Sequence, residues 1–115
     1  MTAPHRGAEA EALAATFLER KGLRVTERNF RCRLGEIDLV AHDGDTTVFV
    51  EVRQRASSAF GGAVASITSK KRARLLRAAR FYLSRLRTMP ACRFDALLIE
   101  GDPPRIDWIR NAFGE

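Results

Sequence analysis

The stretch GEIDLVAHDGDTTVFVEVRQR, from Gly35 to Arg55, decides the fold of this chain. Two apolar runs flank the turn sequence Asp43-Gly44-Asp45, and this pattern predicts a β-hairpin with strands over residues 36–42 and 46–54. Charges inside strands are costly unless they face water or have a partner, so the charged residues of the hairpin are the first functional candidates. They are Asp38 in the first run and Glu51 and Arg53 in the second.

The register of the hairpin decides where the two carboxylates lie. If Gly44-Asp45 is the loop, Asp38 stands opposite Glu51, and if Asp43-Gly44 is the loop, Glu51 lies one diagonal step away. Either even-length loop puts both carboxylates on one face, about 5–8 Å apart, and Arg53 shares that face. The other face then carries the apolar side chains of the hairpin, namely Ile37, Leu39, Val48, Val50 and Val52.

Two carboxylates at this distance repel each other, and one takes up a proton unless a cation lies between them. Mg²⁺ (or Mn²⁺) suits the arrangement, because such an ion binds one or two carboxylates and keeps water and substrate phosphate as its other ligands. The alternative is a solvent-facing strand face on which Arg53 forms a salt bridge with Asp38 or Glu51. The apolar ring of Phe49 argues against that alternative, since it lies on the same face.

The remaining elements are predicted from hydrophobic periodicity and turn residues. The predicted order is α-β-β-β-α-β-β, and a helix between the third and fourth strands is long enough to make them parallel. We therefore expect one α/β domain over residues 1–115, with a central mixed β-sheet flanked by helices. The other predicted elements are helix 8–21, strand 23–30, a mobile Gly-rich loop at 54–66, helix 67–88, and strands 92–100 and 105–110, with Ser66 or Thr68 capping the second helix.

The charge balance favours a polyanionic partner. The chain of 115 residues has 20 Lys and Arg against 14 Asp and Glu. Residues 70–87 contain eight of these cations and no acid, whereas a merely solvated helix face normally mixes both signs. This pattern predicts contacts with the phosphate backbone of nucleic acid. The candidate nucleic-acid-binding residues are Arg31, Arg33, Lys70, Lys71, Arg74 and Arg77.

Other classes of protein are disfavoured. The first 17 residues contain no long apolar stretch, so neither a signal peptide nor a membrane anchor is expected. Cys32 and Cys92 are far apart and predict two reduced thiols in the cytoplasm rather than a disulfide framework. With His5 and His42 as the two histidines, a zinc site is not expected.

Several motifs in order resemble a known family. GAEAEALAATFLERKGL, ERNFRCRLGEIDLV, VFVEVRQR with FGG, and CRFDALLIE are similar to the uncharacterised bacterial YraN-type family, over about residues 6–113. Asp38 followed by Glu51-Val52-Arg53 also resembles the PD-(D/E)xK signature of restriction-endonuclease-like nucleases. The YraN-type family is similar to archaeal Holliday-junction resolvases, which are Mg²⁺-dependent endonucleases that act as dimers on four-way DNA.

The resemblance implies a restriction-endonuclease-like fold and a set of catalytic residues. It adds Glu11, at the opening of the first helix, to Asp38, Glu51 and the position of Arg53, with the three carboxylates as metal ligands. Arg53 departs from the pattern, which has lysine there. Because arginine stays protonated, it binds phosphate but does not act as a base, so DNA binding is expected to survive this change more surely than catalysis. Lys70 is a candidate replacement for the missing lysine.

Three functions follow from these observations. The first is a metal-dependent endonuclease that acts on branched or structured DNA, for which the resemblance implies a homodimer. The second is a non-catalytic nucleic-acid-binding protein on the same fold. The third is an interaction module whose basic surface binds an acidic protein. Metal-dependent cleavage separates the first from the second, and a steep salt dependence of DNA binding separates the second from the third.

Overall fold

The computed structural model describes residues 6–55 and 68–113. Two helices and five strands follow each other in the predicted order, α-β-β-β-α-β-β. They are α1 (Arg6–Arg20), β1 (Arg24–Cys32), β2 (Gly35–Asp43), β3 (Thr46–Arg55), α2 (Ser69–Ser84), β4 (Cys92–Glu100) and β5 (Arg105–Phe113).

The five strands form one mixed sheet in the order β1-β2-β3-β4-β5. All neighbouring pairs are antiparallel except β3 and β4, which run parallel along nine residue pairs from Thr47–Cys92 to Arg55–Glu100. A parallel pair needs a long crossover, and α2 supplies it between these two strands. This arrangement is compatible with the expected restriction-endonuclease-like fold.

One helix packs on each face of the sheet. On one face, Leu18 and its neighbours in α1 pack against alternate residues of the hairpin, including Val48 and Val50. On the other face, Leu75 and its neighbours in α2 pack against Phe49 and Phe94. The face of the hairpin that carries Phe49 is therefore buried under a helix and does not face solvent.

The hairpin has the first of the two predicted registers. Gly44 and Asp45 form the loop, with Gly44 at φ 60°, and Asp43 pairs with Thr46. The ladder then continues regularly to Leu39 and Val50. Beyond that pair, β2 stays with β1 while β3 stays with β4, so the two strands separate. We call this point, between Asp38 and Glu51, the fork.

The face on which Ile37 lies differs from the prediction for the hairpin. It was expected on the same face as Leu39, but it packs with Phe30 and Phe49 in the cluster under α2. Side chains alternate strictly between the two faces where a strand is paired on both sides. Ile37 lies past the fork, where β2 is paired with Phe30 of β1 and no longer with β3. There β1 is irregular, with Asn29 in the left-handed region at φ 53°.

The boundaries of some elements also differ from prediction. α2 ends at Ser84 and not near residue 88, because Arg85 caps it with backbone hydrogen bonds to Leu83 and Tyr82. β5 extends three residues beyond the predicted end, to Phe113, whose ring stacks on Phe94. The predicted mobile loop mostly lies outside the described residues, since β3 continues to Arg55 and residues 56–67 are not described.

Thr68 is the N-cap of α2, as one of the two alternatives predicted, and its hydroxyl accepts a hydrogen bond from the backbone N–H of Lys71.

Within the described residues, no helix has the length and apolarity that crossing a membrane requires.

Gly35 sets the distance between α2 and β2. A Cβ at this position would collide with the backbone carbonyl of Arg74, so only a glycine lets the helix approach this closely. The contact lies at the start of β2, three residues before Asp38. It therefore fixes the height of the first turns of α2 above the fork.

We expect Gly35→Ala to lower the free energy of unfolding by about 1–3 kcal/mol, because overpacking against a backbone carbonyl forces the helix away from the strand. Urea unfolding measures the change. Gly44→Asn is the matched control, since asparagine tolerates positive φ and no atom lies within 4 Å of a Cβ placed there. Equal stability of Gly35→Ala and wild type would contradict the assigned packing.

Candidate active site

Asp38 occupies the fork and bridges the separating strands with its side chain. Its Oδ2 accepts a hydrogen bond of 2.8 Å from the backbone N–H of Val52. That N–H lies just past the last paired residue of β3 in its ladder with β2, Val50. The Asp38 carboxylate thus supplies a hydrogen bond between β2 and β3 where their backbone ladder ends, and this bond holds the carboxylate beside Glu51.

Glu51 is the most deeply buried acid of the hairpin, with 2% of its side chain exposed. Its Oε1 lies 2.6 Å from Nζ of Lys71, in the first turn of α2. The contact is ionic and poorly aligned, since Oε1 has no partner with hydrogen-bond geometry within the described residues. A buried carboxylate oxygen without a directed hydrogen bond is a costly feature, and it marks the point where a cation would bind.

Both carboxylates have raised pKa values. Burial raises the pKa of Glu51 to about 8, and the neighbouring charge of Asp38 adds to that rise, while Lys71 opposes it. Burial also raises the pKa of Asp38, against the opposing effects of the Val52 N–H and Lys71. Near neutral pH the pair therefore retains a proton when no metal is bound, as expected for two acids this close.

An open pocket of about 290 Å³ lies above Glu51, at the N-terminus of α2. Its lining combines two acids of the hairpin with the first turns of the helix. The lining residues are Glu36, Glu51, Thr68, Lys70, Lys71 and Arg74. Negative charge at the base and positive charge at the rim suit a phosphate group that is bridged to a cation.

Glu36 organises the basic residues around this pocket. It lies 3.7 Å from Nε of Arg31 and 3.9 Å from an Nη of Arg74, so it links β1 to α2. Nearby, Nε of Arg77 donates to the carbonyl oxygen of Leu34 in the turn between β1 and β2. The predicted nucleic-acid-binding residues are called the basic surface below; they are Arg31, Arg33, Lys70, Lys71, Arg74 and Arg77.

The two remaining predicted catalytic residues come from different places. Arg53 is half-buried on β3, beside Leu98 of β4. Glu11 is half-buried on α1, the helix that packs on the face opposite Phe49. Over residues 6–55 and 68–113, no three Asp, Glu, His or Cys side chains form a group able to hold a metal. The structure thus brings Asp38 and Glu51 together without completing a set of three carboxylate ligands.

Sequence reasoning missed two features of the site. Lys71 was predicted to contact nucleic acid, but the lysine proposed to serve the carboxylates was its neighbour Lys70, which is exposed at the pocket rim. Glu36 was not selected, although its position two residues before Asp38 on a predicted strand was an available signal. The contact between Lys71 and Glu51 depends on the packing of α2, which the sequence pattern does not specify.

Comparison with known proteins places the chain in a family. The model of the uncharacterised protein family UPF0102 matches residues 10–99. A UPF0102 protein of Nitrosomonas europaea is 53% identical over 99% of this chain and 98% of its own length. A UPF0102 protein of Dechloromonas aromatica is 56% identical over 97% and 91% of the two chains. These matches confirm the family resemblance drawn from the sequence motifs.

The raised pKa of Glu51 predicts how stability depends on pH. The folded state holds the proton up to about pH 8, whereas the usual value for the side chain is 4.5. The stabilising contribution of protonated Glu51 is therefore complete below pH 4.5 and is lost as pH rises toward 8. We expect wild type to lose more stability than Glu51→Gln between pH 5 and pH 8.

Urea unfolding at both pH values, without divalent metal, measures this difference. Glu19→Gln, on an exposed position of α1, is the matched control and should follow wild type. If Glu51→Gln and wild type share one pH dependence, Glu51 does not hold a proton in the folded state.

Proposed function

Because this chain belongs to the uncharacterised protein family UPF0102, whose name assigns no activity, we propose its function from the site. We propose a metal-dependent endonuclease that hydrolyses phosphodiester bonds in branched or structured DNA. One observation carries the proposal: buried Glu51 lines a pocket together with Lys70, Lys71 and Arg74 of the basic surface, and half-buried Asp38 lies beside Glu51. A carboxylate pair within a field of cations is suited to phosphoryl chemistry.

The two carboxylates fit a divalent ion. Glu51 Oε1 is buried and lacks a directed hydrogen bond, and both acids have raised pKa values that an ion would reverse. Asp38 and Glu51 would hold Mg²⁺ or Mn²⁺, which leaves other coordination positions for water and phosphate. Glu11, which the structure does not group with this pair, is the third ligand that the family resemblance implies. When bound, the ion would polarise a phosphoryl oxygen and lower the pKa of an attacking water.

The protein's own contribution is to bind and orient the phosphate. Arginine and lysine side chains of the basic surface neutralise backbone phosphates without reading bases. Arg53, close to Glu51 in sequence, adds a permanent positive charge that binds phosphate. These contacts carry no sequence information, so a preference for branched DNA would come from its shape. Symmetric cleavage of a four-way junction needs two such sites, and we propose that two copies of the chain act together in the cytoplasm.

A second candidate function is supported by the cations already present at the carboxylates. Lys71 neutralises Glu51 without any metal, and position 53 carries arginine in place of lysine. A chain with these features binds DNA on the same surface without cutting it. The non-catalytic nucleic-acid-binding protein therefore remains the alternative to the nuclease.

Metal-dependent cleavage separates these two functions. We expect wild type to cut a four-way junction under single-turnover conditions with Mg²⁺ or Mn²⁺, and Asp38→Asn to lose at least 100-fold in rate, about 2.7 kcal/mol in the barrier. Flap, single-stranded and linear duplex DNA serve as comparison substrates. If wild type never exceeds the Asp38→Asn background on any of them, the binding function replaces the nuclease.

Charge reversal tests the basic surface. We expect Arg74→Glu with Arg77→Glu to weaken binding to DNA of every sequence and to flatten the plot of log K against log salt by about two units, roughly 0.9 for each lost phosphate contact. Fluorescence anisotropy at several salt concentrations measures both. Arg20→Glu with Lys21→Glu changes net charge equally at the end of α1, on the other layer, and should have a much smaller effect. Equal effects of the two pairs would remove α2 from the interface.

A further inference from the structure

The hairpin lacks the compact cation that a nuclease of this type has two residues after its second carboxylate. Position 53 carries arginine, whose guanidinium is planar and larger than an ammonium group. A lysine there would extend from the same strand face as Glu51. An ammonium group beside Glu51 therefore has to come from another element of the fold.

Lys71 supplies one from the opposite side of the pocket. Its Nζ is 2.6 Å from Glu51 Oε1, and a third of its side chain remains exposed toward the pocket that Glu51 and Arg74 also line. The exposed fraction matters, because a purely structural ion pair would be sealed from substrate. Lys71 instead lies between the buried carboxylate and the cationic rim.

Two local devices hold Lys71 in this place. The hydroxyl of Thr68 accepts from the backbone N–H of Lys71, which fixes the first turn of α2. Gly35 allows the next turn, at Arg74, to touch β2. The ammonium group itself lies 2.6 Å from Glu51 Oε1, and a third of the side chain is exposed. The backbone is thus fixed, and the charged end adjoins both the carboxylate and the pocket.

We propose that Lys71 is the catalytic lysine of this site and replaces the lysine absent from position 53. The inference rests on the proposed nuclease function. Lys71 donates hydrogen bonds to the attacking water and to a non-bridging oxygen of the scissile phosphate. The water oxygen bonds to phosphorus, and the bond from phosphorus to the leaving sugar oxygen breaks. The proton of the water passes to solvent, and the leaving oxygen takes a proton from solvent.

The test compares Lys71→Met with Lys21→Met, because methionine keeps the apolar stem of lysine and removes only the charge. We expect Lys71→Met to cut a four-way junction about 100-fold more slowly than wild type in single-turnover reactions, with DNA affinity changed by less than about threefold. Lys21→Met, at an exposed position just after α1 and outside the basic surface, should stay within about threefold of wild type. Adding Arg53→Lys to Lys71→Met should restore at least tenfold of the lost rate.

A second measurement is independent of cleavage. Calorimetry with Mn²⁺ should show that Lys71→Met binds the ion at least as tightly as wild type, because removing a neighbouring cation does not weaken two carboxylates. Retained metal binding together with slow cleavage supports the catalytic role. Loss of metal binding in Lys71→Met, without recovery by Arg53→Lys, assigns Lys71 to holding α2 in place and overturns the inference.

The remaining outcomes separate this inference from the proposed function. If wild type cuts DNA and Lys71→Met cuts within about threefold of it, Lys71 is not the catalytic lysine although the protein is a nuclease. If wild type does not exceed the Asp38→Asn background, both the nuclease function and the role of Lys71 are overturned.

Discussion

Two neighbouring carboxylates where two strands separate, Glu51 buried and Asp38 half-buried, are the constraint on which the rest of the structure depends. Burial disfavours their ionised forms, and their mutual repulsion adds to the cost. The fold offsets that cost with the Val52 N–H at Asp38, the ammonium of Lys71 at Glu51 and a retained proton. Each of these compensations is reversible, whereas an apolar pair at the fork would need none. A cation bound here would offset the cost of burying the two carboxylates.

α2 links this local constraint to the whole fold. The same helix makes the parallel pairing of β3 and β4 possible, covers Phe49 and delivers Lys71 to Glu51. Its approach depends on Gly35, where any side chain would meet the backbone of Arg74. Core packing and site geometry are therefore not separable here. A change that lifts the helix away from β2 moves the ammonium group away from the carboxylate as well.

The sequence predicted those features that depend on local periodicity. The hairpin turn and the even length of its loop were enough to predict the register that ends at Leu39 and Val50, and hence that Asp38 and Glu51 come close to each other. Prediction failed where pairing ends, and Ile37 lies on the face under α2 for that reason. It also did not identify Lys71 as the partner of Glu51, since adjacent helix residues point in different directions and only packing selects between Lys70 and Lys71.

A second buried acid shows why burial alone does not identify a functional residue. Asp95 of β4 is 0% exposed and lies in an equally apolar strand. Its two oxygens accept from Nε of Arg93, the indole N–H of Trp108 and the backbone N–H of Asn111, all between 2.9 and 3.2 Å. Every one of these donors belongs to β4 or β5, so this acid ties the sheet edge together. Glu51 instead has one cation, Lys71, whose contact lacks hydrogen-bond geometry, and an open pocket lies above it. The incomplete set of partners and the open pocket separate a residue available for chemistry from one already used by the fold.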